Sequence, residues 1–504
     1  MATDLQKLLI RGGRVYDHDG DVHRPPIADI LIEGTDIALI GPELPADRTA
    51  GAAVIDATGH LVIPGMINAH YHSHDTLCRG LFEELPLEMW LLYTLPMGGY
   101  RRKREVRART LVGALESLRC GITTVQDMLG LIPLSEDYVD VVVSAYEEIG
   151  ARVVFSPMVF DIPAVAMLRF KDILPPDIQE MMGTSALGAQ EQIDFLEAQI
   201  KRHPARDTLH WAVGPFAPQR CTPELLEGCA DLAARHDLGV YIHAYETRGQ
   251  FVMAREEYAD YGGSFITYLD EAGLLNHRLN IAHSVWLARE EMDRMAAADA
   301  GAVLNHLSNM KLKSGIAPVL DMREAGMRVA LGCDNCSGSD VQNMFQAMKM
   351  YCLLAAVSDP EPGPPLAHEA LRHGTLGGAR SAMLDDRLGA LKPGYKADLV
   401  LLDMKDTAYL PYNSAARQLV YTETGRAIDT VIVDGRVVVR DREVQNIDED
   451  ALRNEVVELM EGFRADFADI VESRAAALPH LLEAHRKVWD SEVSLQRFIT
   501  RTRR

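Results

Sequence analysis

Residues 60–75 read HLVIPGMINAHYHSHD. An apolar run of strand length passes through a glycine turn into a second strand, which ends in histidines at alternate positions, His70, His72 and His74. Strand side chains alternate between faces, so His70 and His72 point the same way. Imidazoles at the end of a buried strand are costly unless something satisfies their ring nitrogens. The stretch therefore raises two linked questions: which fold gathers such strand ends, and whether a metal ion sits among them.

The rest of the chain answers the first. From residue 66 to 384, strand-length apolar runs alternate with longer helical patterns, and eight such strands can be counted: MINAHYH, GITTVQDM, ARVVFSPMVFD, LHWAVGPF, GVYIHAYE, LNIAHSVWL, GAVLNHL and RVALGCDN. That is the arithmetic of a (β/α)8 TIM-like barrel, an α/β fold. Polar and titratable residues gather at the C-terminal strand ends, where such barrels keep their active sites. Short strands with glycine turns precede residue 66 (LLIRGGRVYD, ADILIEGTDIALIG), and others follow the barrel (ADLVLLD, TVIVDGRVVVRD). The expected organisation is a barrel over 66–384, a small β-sandwich domain built from both terminal regions, 1–65 and 385–448, and a helical extension over 449–504. In the extension Leu452, Val456, Leu459 or Met460, Phe463, Phe467 and Ile470 follow a helical period. It can pack on its own barrel or on a second subunit.

Composition narrows the partners. With 504 residues, 47% hydrophobic, and a net charge of −22, the chain repels nucleic acid and anionic membrane surfaces. No run reaches the length of a membrane span, and no basic segment followed by an apolar core opens the chain. Seven scattered cysteines point to reduced thiols and a cytoplasmic setting. Cys333 and Cys336 form a CxxC, but no second CxxC exists to complete a thiolate zinc site. A small-molecule substrate and a homo-oligomeric assembly are the expectations.

The remaining strand ends speak to the metal. Strand five supplies His243 and then Glu246 (HAYE), strand six His283 (AHSVWL) and strand eight Asp334 (LGCDN). Packing alone would not select four histidines and an aspartate at the same end of one barrel. With PGMINAHYH, TLCRGLFEELPL, GITTVQDM, APQRCTPELL, SNMKLKSGIAPV and LGALKPGYKADLVLLD in this order, the chain resembles the amidohydrolase superfamily. The similar branch holds the cytosine, guanine and adenosylhomocysteine deaminases and the triazine hydrolases, and the likeness runs to about residue 445.

The resemblance implies one divalent metal ion held by His70, His72, His243 and Asp334. Zinc suits neutral imidazoles and a carboxylate best, with iron or manganese as alternatives. It implies that Glu246 transfers protons, that His283 orients or polarises the attacking water, and that Asp334 takes that water's proton. Water on such an ion has a pKa of about 7. Binuclear relatives bridge their ions with a lysine or glutamate from the fourth strand, and LHWAVGPF offers neither. His74 reads as an outer hydrogen-bonding group, and His210, at the opposite end of the barrel, as structural.

Departures from the family pattern bear on substrate. Phe216 stands where many relatives carry the histidine of HAP, Leu304 where they carry the histidine of HxPxSN, and Met89 where a glutamate often precedes the tryptophan. With Trp90 and Trp286 these would make an apolar pocket, to which Asn309 and Asn335 add polar substrate contacts. Such a pocket disfavours a nucleoside. The expected activity is hydrolysis of a non-peptide C–N bond in a small aromatic or heterocyclic compound, foremost a deamination. The same machinery could cleave an amide, urea or carbamate, or remove chloride or an alkylamine from a triazine-like ring. A barrel without activity, serving as a binding protein, is the remote alternative.

Overall fold

The computed structural model describes residues 7–183 and 187–498, so the outermost residues of the expected terminal segments, 1–6 and 499–504, lie outside the described residues. Five strands precede the barrel: β1 (Lys7–Val15), β2 (Ile27–Glu33), β3 (Asp36–Gly41), β4 (Ala53–Asp56) and β5 (His60–Pro64). The barrel strands are β6 (Met66–His72), β7 (Ile122–Leu129), β8 (Arg152–Val159), β9 (Leu209–Pro215), β10 (Gly239–Ala244), β11 (Leu279–His283), β12 (Gly301–Leu304) and β13 (Arg328–Leu331), which runs on into β14 (Asp334–Asn335). All pair in parallel, in sequence order. They are buried on both faces, which is why they read as nearly continuous apolar runs.

Closure depends on the eighth strand. β13 pairs with β12, and three residues later Asp334 and Asn335 pair with Tyr71 and His72 of β6. Asn68 stitches the seam: its Oδ1 accepts the Cys333 N–H at 2.9 Å and its Nδ2 donates to Gln342 Oε1 at 2.7 Å. Gly332 lies at the same seam, where an added Cβ would meet the His70 Cβ at 2.8 Å and collide with Asn305 Oδ1. Only glycine lets the last strand come this near the first.

The terminal strands join into one mixed sheet. β15 (Leu399–Asp403), β16 (Ile428–Val433), β17 (Arg436–Arg440) and β18 (Glu443–Val444) continue it from β5, since β15 pairs antiparallel with β5 from Leu399–Pro64 to Asp403–His60. Period-two alternation divides its side chains between two cores. Leu61, Ile63, Val400 and Leu402 face the barrel, while Val62, Leu399 and Leu401 join Ile10, Ile30 and Ile32 in the sheet's own interior.

The C-terminal extension lies on its own barrel. Helix Glu449–Arg474 packs across the helices Leu87–Gly98 and Lys103–Arg119, with Phe463 buried among Leu77, Cys78 and Met97. Arg104 pairs with Glu455 and Glu458 at its edge, but Arg104 and Glu458 are exposed and the pairs contribute less than the buried ring. All seven cysteines are free. Among the described residues no helix is long and apolar enough to cross a membrane.

One buried ion pair ties the barrel to the mixed sheet. Arg152 of β8 bonds Asp398 through two nitrogens, at 2.8 and 3.2 Å, and stands 3.7 Å from Asp434, with all three side chains buried. Arg152→Met should leave Asp398 without its countercharge, with Asp434 keeping only Lys396 at 3.9 Å, and destabilise the fold by about 3–5 kcal/mol. Thermal unfolding followed by circular dichroism measures this, and an unchanged midpoint would show that the pair is not holding the two sheets together.

Candidate metal centre and substrate cavity

The strand ends converge as the barrel closes. His70 and His72 end β6, His243 lies near the end of β10, His283 ends β11 and Asp334 begins β14. Two overlapping groups, His70 with His243 and His283 and His70 with His72 and Asp334, bring donor atoms within 4.8 Å of one another. His72 Nε2 is 3.1 Å from His243 Nε2, and Asp334 Oδ1 lies 3.7 Å from His70 Nε2 and 3.5 Å from His72 Nε2.

The outer ring nitrogens are fixed by acceptors. His72 Nδ1 donates to Met128 O, His243 Nδ1 to Phe216 O at 2.6 Å, and His283 Nδ1 to Asn309 Oδ1 at 2.8 Å. With each proton on Nδ1, the Nε2 atoms present lone pairs inward, and two such atoms 3.1 Å apart repel unless a cation lies between their lone pairs. Both ring nitrogens of His70 and Oδ2 of Asp334 are buried without a partner. Burial, then His72 and its other imidazole neighbours, holds His70 neutral. Orphaned donors of this kind fit a divalent cation.

The two carboxylates differ. Burial pushes the Glu246 carboxyl well above its usual range, with repulsion from Asp334 and Glu88 adding to the rise and Ser314 opposing it. Burial also raises Asp334, but His283 and His72 outweigh it and hold the carboxyl below the usual range. Glu246 Oε2 lies 3.6 Å from His283 Nε2. One group is thus suited to carry a proton and the other to stay anionic. The backbone turns left-handed at Tyr245, His283, Ser284 and Asp334, with φ of 56°, 74°, 53° and 62°. Strain of this kind concentrates where side chains must be aimed.

A cavity opens directly on these groups. Its walls include Trp90, Phe216 and Asn335 among the expected substrate contacts, together with His74, Leu91, Met158 and Gln250. Trp90 is held by an indole N–H bond to Ser337 Oγ at 2.9 Å, and Ser337 in turn donates to Asp75. The structure does not place the other two expected contacts on the wall. Trp286 donates its N–H to Ser314 O at 2.8 Å and packs between Phe251 and Phe498. Asn309 lies behind His283 and reaches the cavity only through it. Leu304 and Met89 are also buried elsewhere, so the apolar wall expected from them is made instead by Leu87, Leu91, Met158 and Met167. His74 accepts the Gly130 N–H through Nδ1 at 3.3 Å, and His210 bonds Asp207 O away from the site.

Sequence reading missed Asp75 and Gln250. Asp75 accepts the N–H groups of Cys336 and Ser337 and so ties the loop after β6 to the loop after β14. Gln250 accepts the Glu246 N–H at 2.6 Å, and the sequence signal for it is the Thr247-x-x-Gln250 spacing of a helix N-terminus, where Thr247 Oγ1 accepts the Gln250 N–H.

Comparison with known proteins agrees with this geometry. Residues 61–438 match the model of the Amidohydrolase family. The chain is 34% identical to a 5'-deoxyadenosine deaminase of Methanothermobacter thermautotrophicus over 467 residues, 92% of this chain and 99% of the relative. It is 33% identical to a 5-methylthioadenosine/S-adenosylhomocysteine deaminase of Pelotomaculum thermopropionicum, covering 90% and 97% of the two chains. Among solved structures it is similar to a zinc-bound atrazine chlorohydrolase of Arthrobacter aurescens, with a TM-score of 0.79 at 25% identity over 90% of this chain and 99% of that one.

Purified protein should carry about one equivalent of a divalent transition metal, since one set of inward donors surrounds one point. His243→Ala or Asp334→Ala should remove it. Elemental analysis decides: two full equivalents in active protein would overturn the mononuclear centre, and full activity after exhaustive chelation would overturn the metal itself.

Proposed function

The chain belongs to the amidohydrolase family, and from that premise we propose that it is a zinc-dependent aminohydrolase whose substrate is an adenosine-type compound. The observation that carries this reading is the placement of Glu246 against His283 beside the histidine and aspartate cluster, at the floor of a cavity walled by Trp90 and Phe216. Aromatic faces suit a flat aminated ring. The names of the two deaminase relatives point to the adenine ring of a nucleoside. The departures at Phe216, Leu304 and Met89 weigh against a nucleoside, but Leu304 and Met89 lie off the cavity wall, and Phe216, which is on it, offers a flat ring an aromatic face.

In this reading His70, His72, His243 and Asp334 would hold the metal, which supplies Lewis acidity that makes water a nucleophile near neutral pH. The remaining steps belong to side chains. Asp334 Oδ2, free of other partners, accepts a proton from the attacking water. His283 is held by Asn309 and turns Nε2 toward that water. Glu246, whose carboxyl burial pushes well above its usual range, protonates nitrogen. A C–O bond forms at the ring carbon, the C–N bond breaks and ammonia leaves. The two protons of water end on the ring nitrogen and on the ammonia.

A second reading keeps the site and changes the leaving group, with chloride or an alkylamine displaced from a triazine-like ring. Similarity to the atrazine chlorohydrolase favours it. Parallel assays for ammonia from adenosine-type compounds and for chloride or alkylamine from triazines separate the two. Seven free cysteines are consistent with a reducing compartment such as the cytoplasm. Exposed Leu353 and Val357 on helix Met344–Ser358 are consistent with a homo-oligomer, which sedimentation equilibrium would test.

Glu246→Gln keeps size and polarity but cannot pass a proton. Metal content should stay normal while turnover falls by about 10²–10⁴. Loss of metal in this variant would make Glu246 a ligand, and near-normal turnover would remove it from the mechanism.

A further inference from the structure

The cavity does not end above the metal cluster. Past the shared wall of His74, Leu91, Leu95, Met158 and Phe216 it widens into an outer chamber of about 330 Å³. Apolar side chains, Ile132, Phe160 and Met182 among them, make most of its lining. Two cations interrupt it, Arg220 and Arg474.

Arg220 is only 2% exposed, yet among the described residues it forms no ion pair. Of the other two buried arginines, Arg152 bonds Asp398, and Arg109, also without an ion pair among the described residues and with a partnerless Nε, donates through Nη1 to two carbonyls, His74 O and Gly98 O. Of the five N–H donors of Arg220, only Nε reaches an oxygen, Ile162 O at 2.7 Å, while Nη1 touches the weak acceptor Met167 Sδ at 3.5 Å. Its charge lies 4.3 Å from the Phe160 ring centroid and 5.1 Å from that of Phe216. The neighbouring carboxylate, Asp161, is engaged by the backbone N–H and hydroxyl of Thr222. Burial lowers the guanidinium to about 10, so it remains charged at neutral pH.

Arg474 ends the helix Glu449–Arg474, is half-buried, and has neither a hydrogen bond nor an ion pair among the described residues. In a protein with 73 acidic and 51 basic side chains, two cations facing one apolar chamber without a carboxylate call for a counter-ion from outside. The chamber adjoins the catalytic floor through Phe216, whose ring stands 5.2 Å from that of His243. A molecule whose aminated ring meets Glu246 would extend its other end toward these arginines.

We propose that Arg220 and Arg474 form an anion-binding subsite in the outer chamber, which takes a carboxylate or phosphate at the end of the substrate remote from its amine. The inference rests on reading the cavity as an aminohydrolase substrate site. It also gives the C-terminal extension a task, since the last residue of its first helix supplies half of the subsite. Arginine suits it because a guanidinium can bind either anion through two parallel hydrogen bonds.

The test is steady-state kinetics on the metal-loaded enzyme with paired substrates: 5'-(carboxymethylthio)-5'-deoxyadenosine, which bears a carboxylate and no ammonium, and adenosine 5'-monophosphate, which bears a phosphate, each against neutral 5-methylthioadenosine. At least one anionic member should be preferred in kcat/KM, and which one identifies the anion. Arg474→Gln, at a half-exposed helix end, should lower the anionic-to-neutral ratio of kcat/KM about 10-fold or more, mainly through KM, and Arg220→Gln should lower it at least as far. If no adenosine-type compound is deaminated, the nucleoside reading fails by itself. The same ratio is then measured on whichever aminated ring the enzyme does turn over, paired with its carboxylate-bearing analogue. A wild-type preference for the neutral member, or a ratio that neither substitution moves, overturns the subsite.

Discussion

Two imidazole nitrogens that present lone pairs to each other across 3.1 Å are the constraint around which the rest of this structure is arranged. Neither His72 nor His243 can relieve the repulsion by turning, because each Nδ1 proton is committed to a backbone carbonyl. Those carbonyls belong to the neighbouring strand of the ring. His72, on β6, is held by Met128 of β7, and His243, on β10, by Phe216 just past β9. Strand order therefore sets the tautomers, and the tautomers set the demand for a cation.

The demand is met only if the barrel closes. Asp334 reaches the histidines because the eighth strand returns to β6, which it can do only through the side chain of Asn68 and the absent side chain of Gly332. Left-handed backbone at His283 and Asp334 costs about 1–3 kcal/mol at each residue. The surrounding bonds hold it in place: Asn309 on the His283 ring, and the Asn335 N–H on Asp334 Oδ1 at 2.7 Å. Strain at the strand ends and closure of the ring are thus one problem, and both serve to aim donor atoms inward.

What could be read from sequence follows from the same physics. Parallel strands buried on both faces are unbroken apolar runs, so all eight stood out, and the polar residues that end them stood out against that background. Wall positions were harder. Trp286, Leu304 and Met89 sit near the site in sequence, but whether a side chain enters a cavity depends on loop direction, which carries no periodic signal. Asn309 lies beside the cavity but bonds the His283 ring, and a residue that holds a histidine looks in sequence like one that faces the cavity. Phe216 and Trp90 could be placed because each adjoins a strand end or a packed helix with a definite face.

The helical extension shows a coupling that no local motif carries. Phe463 packs on Met97 of the helix Leu87–Gly98, Phe467 and Ile470 border the same cluster, and Phe467 stacks edge-on against Phe82. That helix carries Trp90, which reaches through Ser337 to Asp75 and so to the loop after the strand of His70 and His72. The position of the aromatic wall over the metal cluster is therefore set from two sides, by the seam of the barrel below and by the extension above. The extension borders the outer chamber through Arg474, while the inward aim of the histidines on the floor is fixed by carbonyls of neighbouring strands.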